Sequence, residues 1–309
     1  MPVVKLTGDH REGAGGESVA ELVHRRLERL TRGERKVART LFTRYPVAGL
    51  EPLSGFAQRA GVSHPTILRF IAKLGYTGYA EFQAALRSEL EARLKSPLSK
   101  RHAPATGDAE SGESADGLNE FAEKTCANIR QSLAGLSRRE IEAVVALLAD
   151  RANSIHLLGG RFTDAIALYT YMHLRVLRPR VLHVSGPPLS WSEYLLDMDR
   201  HAVVLVFDIR RYQDDVIAFA EEAAGRGARV VLVTDQWLSP IAGVAEHVLA
   251  VRIEVPSAWD SSAALLTLME ALIARVNDRT WPQLQGRIAD LERLRTEFED
   301  HSAAAKDRP

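Results

Sequence analysis

The spacing of apolar residues changes along this chain, and that change constrains the fold most. Before residue 95, apolar side chains recur every three to four residues over 19–30, 31–45, 53–60, 63–74 and 79–94. Beyond residue 150, short runs rich in Val, Ile and Leu appear at 154–158, 181–184, 202–207, 229–234 and 247–251. The first pattern predicts helices only. The second, in which most runs are separated by helix-length segments, predicts a parallel sheet covered on both faces.

A polar segment separates the two patterns. Residues 96–117 contain almost no large apolar side chain, so they cannot bury enough surface to offset the entropy cost of ordering. We predict an all-α domain at 1–95, a linker at 96–117, an α/β domain at 118–280, and a C-terminal helix and tail at 281–309. Within these parts, Ser137 and Glu140 have the spacing of a capping box, and separate helices are expected over 261–276 and 284–299.

The formal net charge of zero conceals two oppositely charged parts. Residues 1–103 hold 18 Lys and Arg against 10 Asp and Glu, whereas residues 104–309 hold 22 against 30. The basic excess is greatest between His24 and Arg44, a segment that includes Arg35 and Lys36. This asymmetry favours a polyanion such as nucleic acid as the partner of the first domain, although a solvated helix face would give the same pattern.

Composition also argues against several classes of protein. No segment approaches the roughly 18 consecutive apolar residues that cross a bilayer, and the first ten residues lack the apolar stretch of a secretory signal. We therefore expect a cytoplasmic protein with no membrane partner. The single Cys excludes a disulfide framework, and the His residues do not have metal-ligand spacing. No metal and no cofactor are predicted.

Residues 53–74 carry the pattern of a helix-turn-helix. Gly61 suits the left-handed residue that ends a first helix, and Ser63 can cap a second helix, whose first turn tolerates Pro65. The second helix should bury one face, formed by residues at i, i+3, i+4 and i+7: Ile67, Phe70, Ile71 and Leu74.

The opposite face of that second helix has the chemistry of a DNA-reading surface. His64 and Thr66 are short donors near its N-terminus, and Arg69 and Lys73 are long cations further along. Such a helix can enter the major groove and contact both bases and phosphates. A simple pair of packed helices is the alternative.

Five short motifs in residues 20–95 carry a resemblance to a known family. They are Glu34-Arg35-Lys36-Val37-Ala38, Gly61-Val62-Ser63, Thr66, Arg69-Phe70 and Leu74-Gly75-Tyr76-Thr77-Gly78-Tyr79. The segment resembles the N-terminal domain of the RpiR/MurR family of bacterial transcriptional regulators. The resemblance implies a helix-turn-helix domain that binds double-stranded DNA, and we assign to that surface Ser63, His64, Thr66, Arg69, Lys73, Arg35 and Lys36.

The second part of the chain resembles the domain that this family attaches to that head. Residues 226–234, RGARVVLVT, and 238–242, LSPIA, match two of its characteristic segments. Residues 118–280 are similar to the sugar isomerase (SIS) domain in order and spacing. The resemblance implies an α/β fold with a five-stranded parallel sheet and helices on both faces.

The expected ligand loops depart from the family pattern. Phosphosugar-binding members have Gly-x-Gly-x-Ser after the first strand and Ser-x-Ser-Gly-x-Thr after the third, where small residues let backbone amides converge on a phosphate. Here the first loop reads Gly159-Gly160-Arg161-Phe162-Thr163 and the second reads Asp208-Ile209-Arg210-Arg211-Tyr212-Gln213. Asp208 and Arg210 replace the two Ser, Arg211 replaces the Gly, and Gln213 replaces the Thr.

Three arginines take the place of those hydroxyl groups. Arg161, Arg210 and Arg211 are expected at the carboxyl ends of parallel strands, where open α/β sheets bind ligands. Guanidinium groups bind carboxylate or phosphate, so we predict a small anionic, carbohydrate-like effector. Its site would comprise Gly159, Gly160, Arg161, Thr163, Asp208, Arg210, Arg211 and Gln213. Alternatively, Asp208 with Asp214 or Asp215 pairs with the arginines, and the pocket is vestigial or an interface.

These features together predict a transcriptional regulator and not an enzyme. One recognition helix reads only a few base pairs, so we expect a homodimer or homotetramer on a palindromic operator. An effector that favours one placement of the heads would change operator affinity. One alternative is a sugar-phosphate aldose–ketose isomerase, which needs a base beside an intact phosphate loop. The other is a regulator whose SIS domain only dimerises.

Overall fold

The structure is a computed structural model that describes residues 18–94 and 115–306. Residues 18–94 form helices and no strand, as the apolar spacing predicts. These helices are α1 (Val19–Arg26), α2 (Arg32–Thr43), α3 (Val47–Leu50), α4 (Leu53–Ala60), α5 (His64–Leu74) and α6 (Tyr79–Leu94). The short helix α3 was not predicted, and a 3₁₀ turn at Leu27–Arg29 ends the first predicted helix early.

Local sequence explains where these helices begin and end. Ser18 and Glu21 form a capping box at the start of α1, and Thr31 and Glu34 form another at the start of α2. Each pair satisfies two backbone N–H groups that a helix N-terminus otherwise leaves unbonded. At the other end, α4 is closed by Gly61 in the left-handed conformation (φ 60°), as the sequence predicts.

Residues 115–306 form the predicted α/β domain. Its helices are α7 (Ala115–Gly135), α8 (Arg138–Ala149), α9 (Asp164–Leu177), α10 (Trp191–Leu196), α11 (Asp214–Gly225) and α12 (Ala263–Lys306). Its strands are β1 (Ser154–Gly159), β2 (Val181–His183), β3 (Ala202–Asp208), β4 (Arg229–Asp235) and β5 (His247–Val251). They form one parallel five-stranded sheet in the order β2-β1-β3-β4-β5, which confirms the predicted fold class.

Three details differ from the sequence-based expectation. Helix α7 begins at Ala115, inside the predicted linker, most of which lies outside the described residues. The two expected C-terminal helices are one helix, which continues through Pro282 because Val276 and Leu284 both remain buried on either side of it. Ser137 is the N-cap of α8 but makes no side-chain cap bond, and the Glu140 carboxylate contacts two histidines, so the predicted capping box does not form.

Two apolar cores lie on opposite faces of the sheet. One contains side chains such as Leu157, Leu205 and Val233, and it is covered by helices α8, α9 and α12. The other begins with Val204 and Leu232 under α11 and continues without interruption into the helical domain. Helix α2 packs against the 3₁₀ turn Pro240–Gly243 at this junction. The helical domain is therefore docked on the α/β domain.

None of the helices within 18–94 and 115–306 combines the length and hydropathy that a membrane span requires.

Candidate functional site

Helix α5 presents the two faces that the sequence predicts. Its apolar face is buried, and it carries Ile67, Phe70, Ile71 and Leu74. On the other face, Ser63, His64, Arg69 and Lys73 are exposed and Thr66 is half-buried. The predicted DNA-binding residues of this helix therefore lie on one solvent-facing surface.

The N-terminal turn of α5 carries a small network of hydroxyl groups. Ser63 occupies the N-cap position, but its hydroxyl lies 3.0 Å from that of Thr66 and makes no cap bond to the backbone. Arg69 Nη2 donates to Thr66 Oγ1 at 3.4 Å. These polar groups point away from the core. Arg35 and Lys36 are exposed on the neighbouring helix α2.

Lys73 has a structural partner that the sequence did not reveal. Its Nζ lies 2.7 Å from Oε2 of Glu34, whose side chain is only 3% exposed. Burial raises the pKa of Glu34, but hydrogen bonds from Lys73 and Thr31 lower it by more. Because a buried carboxylate without its cation is costly, Lys73 ties α5 to α2 whether or not it also contacts DNA.

The loop after β1 has the tight geometry of a phosphate loop but uses its donors internally. A Cβ on Gly159 would lie 2.5 Å from Cα of Asp164, so only glycine fits there. Gly160 N donates to Thr163 Oγ1 at 2.8 Å, and that hydroxyl donates to Phe207 O at 2.7 Å. Thr163 is therefore committed to closing the loop.

Gln213 fills the space beside this loop. Its Oε1 accepts a hydrogen bond from the backbone N–H of Arg161, and a Cβ on Gly160 would lie 2.5 Å from the same oxygen. The predicted residues Gly160, Arg161 and Gln213 are thus brought together. The hydrogen-bond acceptor at the Arg161 amide is therefore a side-chain oxygen of the protein itself.

Asp208 faces the protein interior. It is 2% exposed, and its Oδ2 accepts a hydrogen bond from Ser239 Oγ at 2.5 Å. Burial raises the pKa of Asp208 to about 7, and the nearby carboxylate of Asp235 adds to the rise, while hydrogen bonds from Ser239 and the Gln213 backbone oppose it. The carboxyl group therefore fixes the loop after β3 and offers little surface to a ligand.

Arg210 is also turned inward. Its guanidinium lies 3.0 Å from carboxylate oxygens of both Glu254 and Asp260, and it stacks 4.3 Å from the ring centre of Trp237. The sequence had suggested Asp208, Asp214 or Asp215 as partners for these arginines, and the observed partners of Arg210 are different. With two carboxylates beside it, Arg210 is a poor receptor for a further anion.

Arg161 and Arg211 keep exposed side chains. The guanidinium of Arg161 lies over the ring of Phe162, which makes an edge-to-face contact with Trp259 at 5.9 Å. Arg211 has φ 63°, a left-handed conformation that glycine adopts readily and arginine does not. This is the position at which the family pattern has Gly, a residue that adopts such a conformation without strain.

Residues in the loop after β3 also contact the helical domain. Arg210 Nη1 donates to the carbonyl of Ala92 at 3.3 Å, and the guanidinium of Arg93 lies 4.3 Å from the ring centre of Tyr212. Arg93 also donates to Tyr45 O at 2.8 Å. The loop after β3 thus contacts the C-terminal end of α6 in the helical domain.

Helix α1 makes a second set of polar contacts along strand β5. Arg252 lies 3.4 Å from Glu21. Glu140 lies 3.7 Å from His24 and 3.2 Å from His247. Although burial raises the pKa of Glu140, the two histidines and the Val248 amide lower it to about 2. The Glu21–Arg252 and His24–Glu140 pairs therefore also join the two domains.

The sequence reading missed the residues that support the loops. Asp235 is the last residue of β4, Trp237 and Ser239 follow that strand, and Glu254 follows β5. Their position after the ends of parallel strands was a signal that could have identified them. The partners of Arg210 could not be found in this way, because Ala92 is 118 residues away in the chain.

Comparisons with known proteins agree with this two-domain arrangement. The model of the helix-turn-helix domain of the rpiR family matches residues 17–93, and the SIS domain model matches residues 148–275. The HTH-type transcriptional regulator HexR of Pseudomonas aeruginosa is 30% identical over 159 residues, which are 49% of this chain and 50% of that protein. HexR of Escherichia coli K12 is 26% identical over 262 residues, 82% of this chain and 86% of that protein.

The chain thus spans half the length of the first of these relatives and most of the second. Among solved structures, the sugar isomerase domain of an RpiR transcription factor from Sphaerobacter thermophilus is 25% identical. The superposition has a TM-score of 0.52 and covers 57% of this chain and 98% of that one.

The left-handed conformation of Arg211 yields a stability prediction. Arg211→Gly should raise the free energy of unfolding by up to about 1 kcal/mol, because relief of a strain of about 1–2 kcal/mol outweighs the greater entropy of glycine in the unfolded chain. Urea unfolding followed by circular dichroism measures the change. Arg211→Ala, which keeps a Cβ, should give no gain. Equal stability of the glycine and alanine variants would contradict a strained loop.

Proposed function

Because this chain is an RpiR-family protein with a helix-turn-helix domain followed by a SIS domain, we propose that it is a DNA-binding transcriptional regulator controlled by a small anionic metabolite. The observation that carries the DNA-binding part is helix α5. Four apolar residues fix its inner face in the core, while its outer face presents hydroxyl, imidazole and guanidinium groups to solvent. That division suits a recognition helix in a major groove.

The palindromic operator and the oligomeric state belong to the same proposal. A single recognition helix contacts few base pairs, so paired heads supply the remaining affinity and fix the spacing of the half-sites. We propose a homodimer or homotetramer in the cytoplasm. The basic excess of residues 1–103 supports a polyanion partner for this part of the chain alone.

The docking contacts suggest how a metabolite could change DNA binding. Arg210 and Tyr212, in the loop after β3, hold Ala92 and Arg93 at the end of α6. An effector that binds better when this loop has moved would favour another placement of the DNA-binding domain. By linkage, its differential affinity for the two placements sets the change in operator affinity. Repression and activation are both compatible with this mechanism.

A regulator whose SIS domain only dimerises is the second candidate, and one observation favours it. The amides of Gly160 and Arg161 and the hydroxyl of Thr163 in the loop after β1 already have partners within the protein. The aldose–ketose isomerase has less support, since Asp208, the carboxyl group at the start of the loop after β3, is buried and bonded to Ser239. A base must reach its substrate to act.

Two substitutions on α5 separate DNA reading from folding. Arg69→Ala should weaken operator binding by about 1–3 kcal/mol if the guanidinium contacts a base edge, without changing stability. Lys73→Ala should also lower the free energy of unfolding, because it removes the partner of buried Glu34. Fluorescence anisotropy on an operator mapped from genomic binding sites, together with urea unfolding, measures both effects. Wild-type operator affinity in both Arg69→Ala and Lys73→Ala would exclude α5 as the recognition helix.

A third substitution tests the docked arrangement. Arg93→Ala removes the stacking on Tyr212 and the bond to Tyr45 O, so the helical domain should lose about 1–2 kcal/mol of stability. Calorimetry should show a lower unfolding midpoint for the helical domain. Arg87→Ala, an exposed arginine on the same helix, is the control. If both variants unfold alike, Arg93 does not hold the domains together.

A further inference from the structure

We propose that Gln213 is an internal competitor for the effector site, and that an anionic effector binds by replacing its carboxamide oxygen at the backbone amide of Arg161. This inference rests on the proposed function, since it concerns the ligand site between the loops after β1 and β3. It names the residue that sets the affinity and selectivity of that site.

The first support is the position of the Gln213 oxygen. Oε1 accepts the N–H of Arg161 at the N-terminal side of α9, where an acceptor oxygen of a bound anion would be favoured by the helix dipole. The same oxygen lies against Gly160, where a Cβ would leave only 2.5 Å between them. An anion cannot reach this amide while the carboxamide is in place.

The second support is the place of Gln213 in the chain. Gln213 occupies the N-cap position of α11, where Ser, Thr, Asp and Asn are the favoured residues, and it makes no side-chain cap bond. Helix α11 therefore lacks a side-chain cap, and the Gln213 side chain extends to the loop after β1. Two positions away, Arg211 is held in a left-handed conformation. Departures from local preference of this kind concentrate at functional sites.

The surroundings indicate what an effector must offer. Arg161 and Arg211 present exposed guanidinium groups on the two loops, so an anionic oxygen is favoured over a neutral carbonyl. Beside Arg161, the exposed rings of Phe162 and Trp259 provide an apolar surface. A hydroxylated ring or chain that carries a carboxylate or a phosphate matches this combination, and both anions would use the same amide.

The experiment varies position 213 and measures anion binding to the full chain by calorimetry. The probes are inorganic phosphate and D-gluconate, one for each type of anion. Gln213→Ala and Gln213→Ser remove the competing oxygen, so either probe should bind at least tenfold more tightly than to wild type. Gln213→Glu places a charged acceptor on the Arg161 amide, so binding should be at least tenfold weaker. Gln285→Ala, an exposed glutamine on α12, is the matched control and should bind as wild type does.

The serine variant should fold at least as well as the wild type, because serine is a favoured N-cap residue. Thermal unfolding verifies that each variant is folded. Tighter binding of phosphate alone, or of gluconate alone, supports the inference and identifies the anion. The inference is overturned if neither Gln213→Ala nor Gln213→Ser binds either probe more tightly than wild type does. Wild-type affinity of Gln213→Glu for both probes would also overturn it. Operator binding by the wild-type protein is measured separately, so failure at position 213 leaves the proposed DNA binding intact, and loss of operator binding does not alter the anion result.

Discussion

The carboxylate of Asp235, at the end of β4, fixes the loops on which the proposed regulation depends. It accepts hydrogen bonds from the backbone of Arg210 at 2.5 Å, the hydroxyl of Tyr212 at 2.8 Å and the backbone of Trp237 at 2.9 Å. Burial raises the pKa of Asp235, and these bonds lower it by less. Because a buried carboxylate needs such donors, the loops after β3 and β4 are tied to each other. The positions of Arg210 and Tyr212 follow from this one group.

That arrangement gives the arginines of the predicted ligand site different roles. Arg210 is neutralised by Glu254 and Asp260 and contacts Ala92, so its charge serves the junction between the domains. Arg161 and Arg211 remain on the surface. The loop after β3 therefore carries the exposed Arg211 and also contacts the helical domain through Arg210. A change in the conformation of this loop would alter both the exposed surface around Arg211 and the contact with the helical domain. Such a shared element is the physical requirement for coupling between two sites.

The fold and the buried face of α5 could be predicted because they depend on local patterns. The spacing of Ile67, Phe70, Ile71 and Leu74 defines one face of α5, and the short apolar runs define the strands. The direction of a charged side chain is another matter, since it depends on partners far away in the chain. Lys73 pairs with Glu34, and Glu140 leaves its expected cap for His24 and His247. Only the tertiary structure shows these side-chain partners.

We expect the loop after β3 to hold the helical domain in one placement, and a distance measurement tests this expectation most directly. Spin labels at Arg87→Cys on α6 and Glu221→Cys on α11, in a Cys126→Ser background, report the separation of the two domains by pulsed electron resonance. The account predicts one narrow distance distribution, which broadens or gains a second distance when Arg210→Ala removes the bond to Ala92. A distribution that is the same with and without Arg210 would contradict this expectation.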